Sequence, residues 1–306
     1  MSNGAENTGR VFVFGSANND HVLAVEEFPQ AGETVLSRSY SVGLGGKGAN
    51  QAVAAARAGG SVAFVGSVGS DQAGEAILAN FAEHGIDARG TARSRQEATG
   101  VAIVLVNSHG SNEIVVAAGA NADLAASTVE EALAGIGTQD VVVVQCEIPI
   151  PRVEQIIRGG ARQGATVVVN LAPYAELQRS SFDEVDLLIV NESEARALLG
   201  SQVPEHQLAE EVVAAVGCGC VVTLGEHGSV YASPHSRAAH VPAVAVEDVV
   251  DTTGAGDVYV GTLAAALARR DDIVAAMELA TAAAALSVSS RGAQSPRDPE
   301  AAQAVA

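Results

Sequence analysis

Lysine is almost missing from this chain: of 17 basic side chains in 306 residues, sixteen are arginine and one, Lys47, is lysine. Acids number 36, giving a formal charge of −19 and a pI near 4.6. That balance argues against a nucleic-acid binder, which needs a basic surface to offset phosphate charge. Any pocket for a polyanion must therefore create its own positive field. Tryptophan is absent, and only six Phe and four Tyr occur, so little is available to stack a base. Three cysteines, Cys146, Cys218 and Cys220, do not make a disulfide framework. Cys146 ends an apolar run and reads as a small hydrophobe. Cys218-Gly-Cys220 has no second Cys/His pair at metal-binding spacing. All three read as structural, and a reducing cytoplasm is the expected compartment. The first ten residues are polar and lack the apolar core of a signal peptide. No apolar run reaches the roughly 18 residues of a membrane span, so neither nucleic acid nor membrane is expected as a partner.

Hydrophobic residues make up 48% of the chain, enough for a substantial core. Short β-branched runs alternate with Ala-rich stretches, which predicts an α/β fold with a mostly parallel sheet covered by helices. Strands are predicted over 11–15, 62–68, 141–146, 166–170, 187–190 and 221–224. Helices are predicted over 49–58, 72–83, 152–163, 192–199, 207–216, 255–269 and 273–287. No repeat or Pro/Gly-rich linker divides the chain, so 1–306 reads as one domain with flexible tails at 1–9 and 298–306. Residues 21–26 with 34–42, and 99–107 with 112–117, alternate in period two, the second pair joined by Ser108-His-Gly-Ser111. They predict a small antiparallel sheet outside the main one, a lid spanning about 18–44 and 99–117. Such a flap can exclude water from a reactive phosphate, or serve as an edge extension or dimer surface.

Ligands of open parallel sheets sit beyond the carboxyl ends of the strands. Polar residues gather there: Asn18 and Asp20 after the first strand, Glu147 after 141–146, Asn170, then Asn191 and Glu194, then Thr223 and Gly225. Helix capping accounts for some of them, Asn191 for example, but not for Asn18, Asp20 and Glu147 together. Asp251-Thr-Thr-Gly-Ala-Gly-Asp257 precedes a helical run. Glycines let successive N–H groups converge, and the helix N-terminus adds positive charge, so the string makes an anion pocket. Asp257 in the first turn is either a helix-stabilising charge or, beside that pocket, the base that takes a proton from an attacking hydroxyl. Gly45-Gly-Lys-Gly-Ala-Asn50 is not a Walker A loop, because Ser41 stands where that motif needs its first Gly. A tight turn explains its glycines. It does not explain why the only lysine, a compact mobile charge, lies there. Asn191 and Glu194, one helical turn apart, suit either a capping pattern or the waters of Mg²⁺.

Together, Gly15-Ser-Ala-Asn-Asn-Asp20, Gly45-Gly-Lys-Gly-Ala-Asn-Gln-Ala52 and Asp251-Thr-Thr-Gly-Ala-Gly-Asp257 resemble the ribokinase-like (PfkB-type) carbohydrate kinase family, from Val11 to about Pro296. The resemblance implies an α/β sandwich with a β lid, and transfer of the γ-phosphate of ATP to a primary sugar hydroxyl. Asp257 would be the base, with the N–H groups of Gly254, Ala255 and Gly256 as the anion hole. Asn18, Asn19, Asp20, Gly46, Lys47, Gly48, Ala49, Asn50 and Glu147 would hold the sugar. Asn191, Thr223, Leu224, Gly225, Glu226, His227, Gly228, Gly256 and Thr281 would border the nucleotide, and Glu194 would hold Mg²⁺ through water. The family's activating K⁺ would lie among Asp251, Thr253, Ser287, Ser290 and Gly292. Ser295 is the candidate for the last ligand, since the chain runs Gly292-Ala-Gln-Ser-Pro296 where the family has Pro-Ser after Gln. The expected acceptor is D-ribose, giving ribose 5-phosphate, with another sugar or a nucleoside as the alternative. A non-catalytic sugar sensor would need the base or anion hole to be lost, and neither is. A homodimer through the lid is expected.

Overall fold

Valine runs without polar alternation must be buried on both faces, and the centre of this protein is built on that requirement. The computed structural model describes residues 8–294. Within them, nine strands form one sheet. From one edge to the other these are β13 (Ser236–Val241), β12 (Ser229–Ser233), β11 (Gly219–Thr223), β10 (Leu187–Asn191), β9 (Thr166–Asn170), β8 (Val141–Gln145), β1 (Arg10–Phe14), β4 (Ser61–Gly69) and β5 (Asp87–Ser94). The strands from β11 to β5 pair in parallel, and β12 and β13 add an antiparallel hairpin.

Side chains alternate across the sheet. Val11 and Val13 of β1 face one apolar layer and Phe12 and Phe14 the other. The first layer holds α1 (Lys47–Arg57), α2 (Gln72–Glu83), α7 (Ala255–Ala268) and α8 (Ile273–Ser287). The second holds α3 (Ala126–Leu133), α4 (Ile150–Gln163), α5 (Glu192–Leu199) and α6 (Leu208–Val216). Alanine and glycine set the spacing of the first layer. A Cβ at Gly261 of α7 would fall 2.3 Å from the carbonyl oxygen of Gln51. Only glycine permits that approach, which brings the start of α1 beside the start of α7.

A second sheet is ordered β3 (Ser39–Gly45), β2 (Asn18–Ala24), β6 (Gly100–Val106), β7 (Asn112–Ala117). Its β2–β3 and β6–β7 pairs are antiparallel, as the alternation predicts, and the two pairs join in parallel along β2–β6. Residues Asn18 and Asp20 share one face with Ala102, while His21, Val42, Ile103 and Val115 share the other. β2 follows β1 after three residues, so this second sheet stands at the carboxyl end of the main one.

Of the predicted tails, 1–7 and 298–306 lie outside the described residues, as does Ser295. Gly9 is anchored, its N–H donating to the Ala268 carbonyl at 3.0 Å. Among the described residues no helix is long and apolar enough to cross a membrane.

Candidate active site

The parallel strands deliver their polar carboxyl ends to one place, and the close α1–α7 contact adds the two glycine-rich strings. Asp257 is the third residue of α7, buried at 7% exposure. A buried carboxylate without partners is costly, and this one has two. Asn50 Nδ2 donates to its Oδ2 and Gln51 Nε2 to its Oδ1, each at 2.9 Å.

Gly254 caps α7 in the left-handed region at φ 77°, and a Cβ there would lie 2.5 Å from Cβ of Ala293. Glycine is therefore required on both counts. First-turn N–H groups have no partner inside their own helix. Of the predicted donors, Ala255 gives its N–H to the Thr252 carbonyl at 3.2 Å, while Gly254 and Gly256 line a cavity of about 120 Å³. Lys47, Asn170, Asn191, Glu194, Thr223 and Asp257 line the same cavity.

Lys47 is the cation of this cavity. Asp257 holds its ammonium above the ordinary lysine range, burial opposes this, and Glu147 and Glu194 add to the upward push. It stays charged among acids. Glu147 receives the Ser16 hydroxyl at 2.5 Å and the Lys47 N–H at 3.0 Å, so it also steadies the α1 N-terminus. Asp20 is pushed up to about 6, by burial first and then by Glu147 and Asp257. Its Oδ1 is buried without a partner among the described residues. An unpartnered buried carboxylate oxygen is the acceptor a ligand hydroxyl would satisfy. Asn18 accepts from Asn121 Nδ2 at 2.8 Å, and Asn121 in turn accepts the Ala17 N–H at 2.9 Å.

Of the predicted sugar residues, Asn50 thus bonds Asp257, Lys47 shares its cavity and Asp20 feels its charge, while Glu147 receives the Lys47 N–H, Gly46 packs on Ala17 and Asn18, and Gly48 and Ala49 pack on the Gly15–Ser16 backbone. Asn19 is the exception. Strand alternation turns it to the opposite face of β2, where its amide meets His21 Nε2 at 3.0 Å and His21 Nδ1 meets Tyr40 Oη at 2.6 Å. The sugar-binding assignment of its side chain is corrected accordingly.

Asn191 and Glu194 form a complete capping box. Asn191 Oδ1 accepts the Glu194 N–H at 2.8 Å, and Glu194 Oε2 accepts the Asn191 N–H at 2.9 Å. The capping reading of the pair thus holds, and the two also line the cavity. Burial raises the Glu194 carboxyl, Asp257 adds to this, and the Asn191 N–H and Lys47 counteract it. Thr223 lies in register with Asn191. Leu224 is buried and Gly225–His227 form a single 3₁₀ turn with exposed Glu226 and His227, closed by Gly228. Thr281 is buried on α8 and its hydroxyl has no partner among the described residues, but it is not part of the cavity wall.

The chain beyond α8 returns to this loop. Gly292 N–H donates to Asp251 Oδ2 at 2.8 Å and Thr253 N–H to Asp251 Oδ1 at 2.9 Å. Against the upward push of burial, these bonds hold Asp251 below the usual carboxylate range. Ser290 N–H donates to the Ser287 carbonyl at 3.3 Å, and Val250 and Asp251 both donate to the Val288 carbonyl. Oxygens of Asp251, Thr253, Ser287, Ser290 and Gly292 belong to these two adjoining segments, and an oxygen-only donor set fits a hard monovalent cation. Among the described residues no three His, Cys, Asp or Glu side chains cluster as a metal cage. An ion held mainly by water and phosphates, with one carboxylate, needs none. Burial pushes the Cys146 thiol up to about 12, which keeps it an apolar filler.

Sequence reasoning missed Gln51, Gln145, Asn121 and Gln294. Gln51 and Gln145 are wholly buried, and Gln145 Nε2 donates to Gln51 Oε1 at 2.6 Å. Gln294 Nε2 donates to Asn50 Oδ1 at 2.7 Å. Gln51 stood in plain view, one residue beyond Asn50. A buried base beside a lysine and a helix N-terminus can take a proton from a hydroxyl while transferring charge accumulates on an anion.

The chain matches the pfkB family of carbohydrate kinases over residues 8–301. It is 38% identical over 287 residues to a ribokinase from Haemophilus influenzae, covering 92% of this chain and 93% of that one. It is 39% identical over 284 residues to a ribokinase from Bacillus subtilis, covering 93% and 94%. The fold superposes on Arabidopsis thaliana ribokinase complexed with ribose and ATP with a TM-score of 0.87, at 28% identity and covering 97% and 98% of the chains.

Proposed function

The chain belongs to the pfkB family of carbohydrate kinases, and from that footing we propose an ATP-dependent sugar kinase that phosphorylates the primary hydroxyl of D-ribose. The observation that carries this reading is Asp257, held by two amide donors at a cavity shared with Lys47, Gly254 and Gly256. Asn18, Asp20 and Asn50 hold the sugar as a small neutral ring rich in hydroxyls, its 5-hydroxyl directed at Asp257. The proton passes to the Asp257 carboxylate as the hydroxyl oxygen bonds to the γ-phosphorus. The β–γ bridging P–O bond breaks in line, and ADP departs with its electron pair. Lys47 and the α7 N-terminus offset the charge on the transferring group.

Asn191, Thr223 and the turn to Gly228 border the nucleotide. Glu194 would hold Mg²⁺ through water, and the ion, when bound, neutralises phosphate charge. The oxygens of Asp251, Thr253, Ser287, Ser290 and Gly292 would hold K⁺, whose charge supports the anion-hole loop. Three buried free cysteines favour a reducing cytoplasm. The lid is the surface for a homodimer: Tyr40, Val42 and Val115 are 58%, 52% and 70% exposed and share one face of it.

Coupled ADP-release assays over pentoses, hexoses and nucleosides, with K⁺ and with a bulky cation instead, test the proposal. D-ribose preferred, with stimulation by K⁺, is the expected outcome. Preference for a nucleoside or a phosphorylated sugar would defeat the assignment of ribose.

A further inference from the structure

Asp257 does not stand between two isolated amides; each belongs to a chain of amides whose donors all run toward the carboxylate. In the first, Gln145 Nε2 donates to Gln51 Oε1 at 2.6 Å, and Gln51 Nε2 donates to Asp257 Oδ1 at 2.9 Å. In the second, Asn80 Nδ2 donates to Gln294 Oε1 at 2.8 Å, Gln294 Nε2 to Asn50 Oδ1 at 2.7 Å, and Asn50 Nδ2 to Asp257 Oδ2 at 2.9 Å. We propose that Gln51 and Gln294 are positioning residues for the phosphoryl transfer, fixing both oxygens of Asp257 through these two relays. The proposal rests on the assignment of Asp257 as base.

A carboxamide can present either its oxygen or its NH₂, and a flipped Gln51 or Asn50 would turn an oxygen onto the carboxylate. The upstream donor decides the orientation. With Gln145 filling Gln51 Oε1, the NH₂ must face Asp257. Its second hydrogen has its own acceptor, Asn170 Oδ1 at 2.9 Å, and Asn170 is held by donating to the Ile189 carbonyl at 3.2 Å. Gln294 does for Asn50 what Gln145 does for Gln51. Aligned hydrogen bonds polarise one another, and the effect is largest where water is excluded; Gln51 and Gln145 are both fully buried.

The two relays start far apart. One is rooted in β8 at the sheet centre, the other in α2 and the segment after α8. That segment also lays Ala293 against Gly254 and Gly292 against Asp251, so one short stretch touches both the anion-hole loop and the partner of the base. Asp257 acts electrostatically on Lys47 of α1, Asp20 of β2 and Glu194 of α5, and Glu147 acts on Asp20 and Lys47. None of Lys47, Asp20, Glu194 and Glu147 belongs to either relay.

Steady-state kinetics of Gln51→Met and Gln294→Met, with the family's sugar acceptor and ATP, test the inference. Each removes an amide while nearly keeping its volume. Losing a hydrogen bond to a charged acceptor predicts a fall in kcat of about 10- to 100-fold for Gln51→Met. Gln294→Met, one bond removed, should lose about 3- to 10-fold, with sugar KM changing less than kcat in both. Because a donor to the charged form is lost, the acid limb of kcat against pH moves upward in Gln51→Met. A packing defect would not move it. Gln145→Met combined with Gln51→Met should cost no more than Gln51→Met alone, since the two act in series.

Unchanged kcat and an unmoved acid limb in both single variants would overturn the proposal. Should Gln51→Met fail to fold, the partly exposed Gln294 decides the matter alone. Asp257→Asn, run alongside, separates the two levels. Loss of turnover there with silent glutamines refutes the relays and leaves the base in place; retained turnover refutes both.

Discussion

Asp20→Asn should make this protein more stable while ruining its sugar site. The Asp20 carboxyl is pushed up to about 6 from an ordinary 3.8, by burial, then Glu147, then Asp257. The folded state therefore binds this proton more tightly than the unfolded chain does. Between those two values, rising pH removes stability, and above about 6 the cost is constant. Below about 3.8 both states hold the proton and the cost disappears. Some two pKa units at 1.36 kcal/mol each set a ceiling of about 3 kcal/mol, and partial water access reduces it to about 1–2 kcal/mol. Asparagine keeps the shape and carries no charge. Chemical denaturation at pH 7.5 should show the variant more stable by about 1–2 kcal/mol, or about 2–6 °C in Tm. At pH 4.5 the gap should shrink by more than half. Ribose affinity, read by calorimetry, should fall about 10- to 100-fold, because a charged acceptor for sugar hydroxyls is lost. A variant no more stable than the parent at pH 7.5, or a gap independent of pH, would refute the reasoning.

On the proposal that Lys47 offsets the charge of the transferring phosphoryl group, Lys47→Met should lower kcat about 100- to 1000-fold. Lys47→Arg should restore little of it, since a planar fork does not reproduce a compact ammonium; steady-state assays of both variants check this. If the second sheet forms the proposed dimer, placing aspartate at Val42 and Val115, both exposed on one of its faces, should shift sedimentation from dimer to monomer. The circular dichroism of the fold should be unchanged.

How far the sequence alone reaches depends on how each element is stabilised. α2, α5 and α8 fall on their predicted bounds because each opens on a side-chain cap, Asp71, Asn191 or Asp272. The valine-rich strands were legible for the same reason they are buried. β5, with its Asp-Ala-Arg-Gly start, escaped because an edge strand need not be apolar on both faces. The polar β12–β13 hairpin and the eight-residue α3 escaped because neither carries a sustained period. In the site, Asp257, Asn50, Lys47 and Glu147 were legible from glycine-rich strings and strand ends. Asn19 was misplaced through adjacency to Asn18 and Asp20, a period-two strand sending neighbours to opposite faces. Gln145 was hidden within a valine-rich strand, and although Gln51 adjoins Asn50 in sequence, only tertiary contact reveals the two as a buried amide pair.

The central claim is that Asp257 takes the proton of a sugar hydroxyl. Its most direct measurement is ribose-dependent ADP release by Asp257→Asn beside the ribose affinity of the same protein. Asparagine keeps the volume but cannot accept the proton, so turnover should fall at least about 1000-fold, within the range of a lost general base, while ribose still binds. Turnover near that of the parent, with ribose binding intact, would contradict the account.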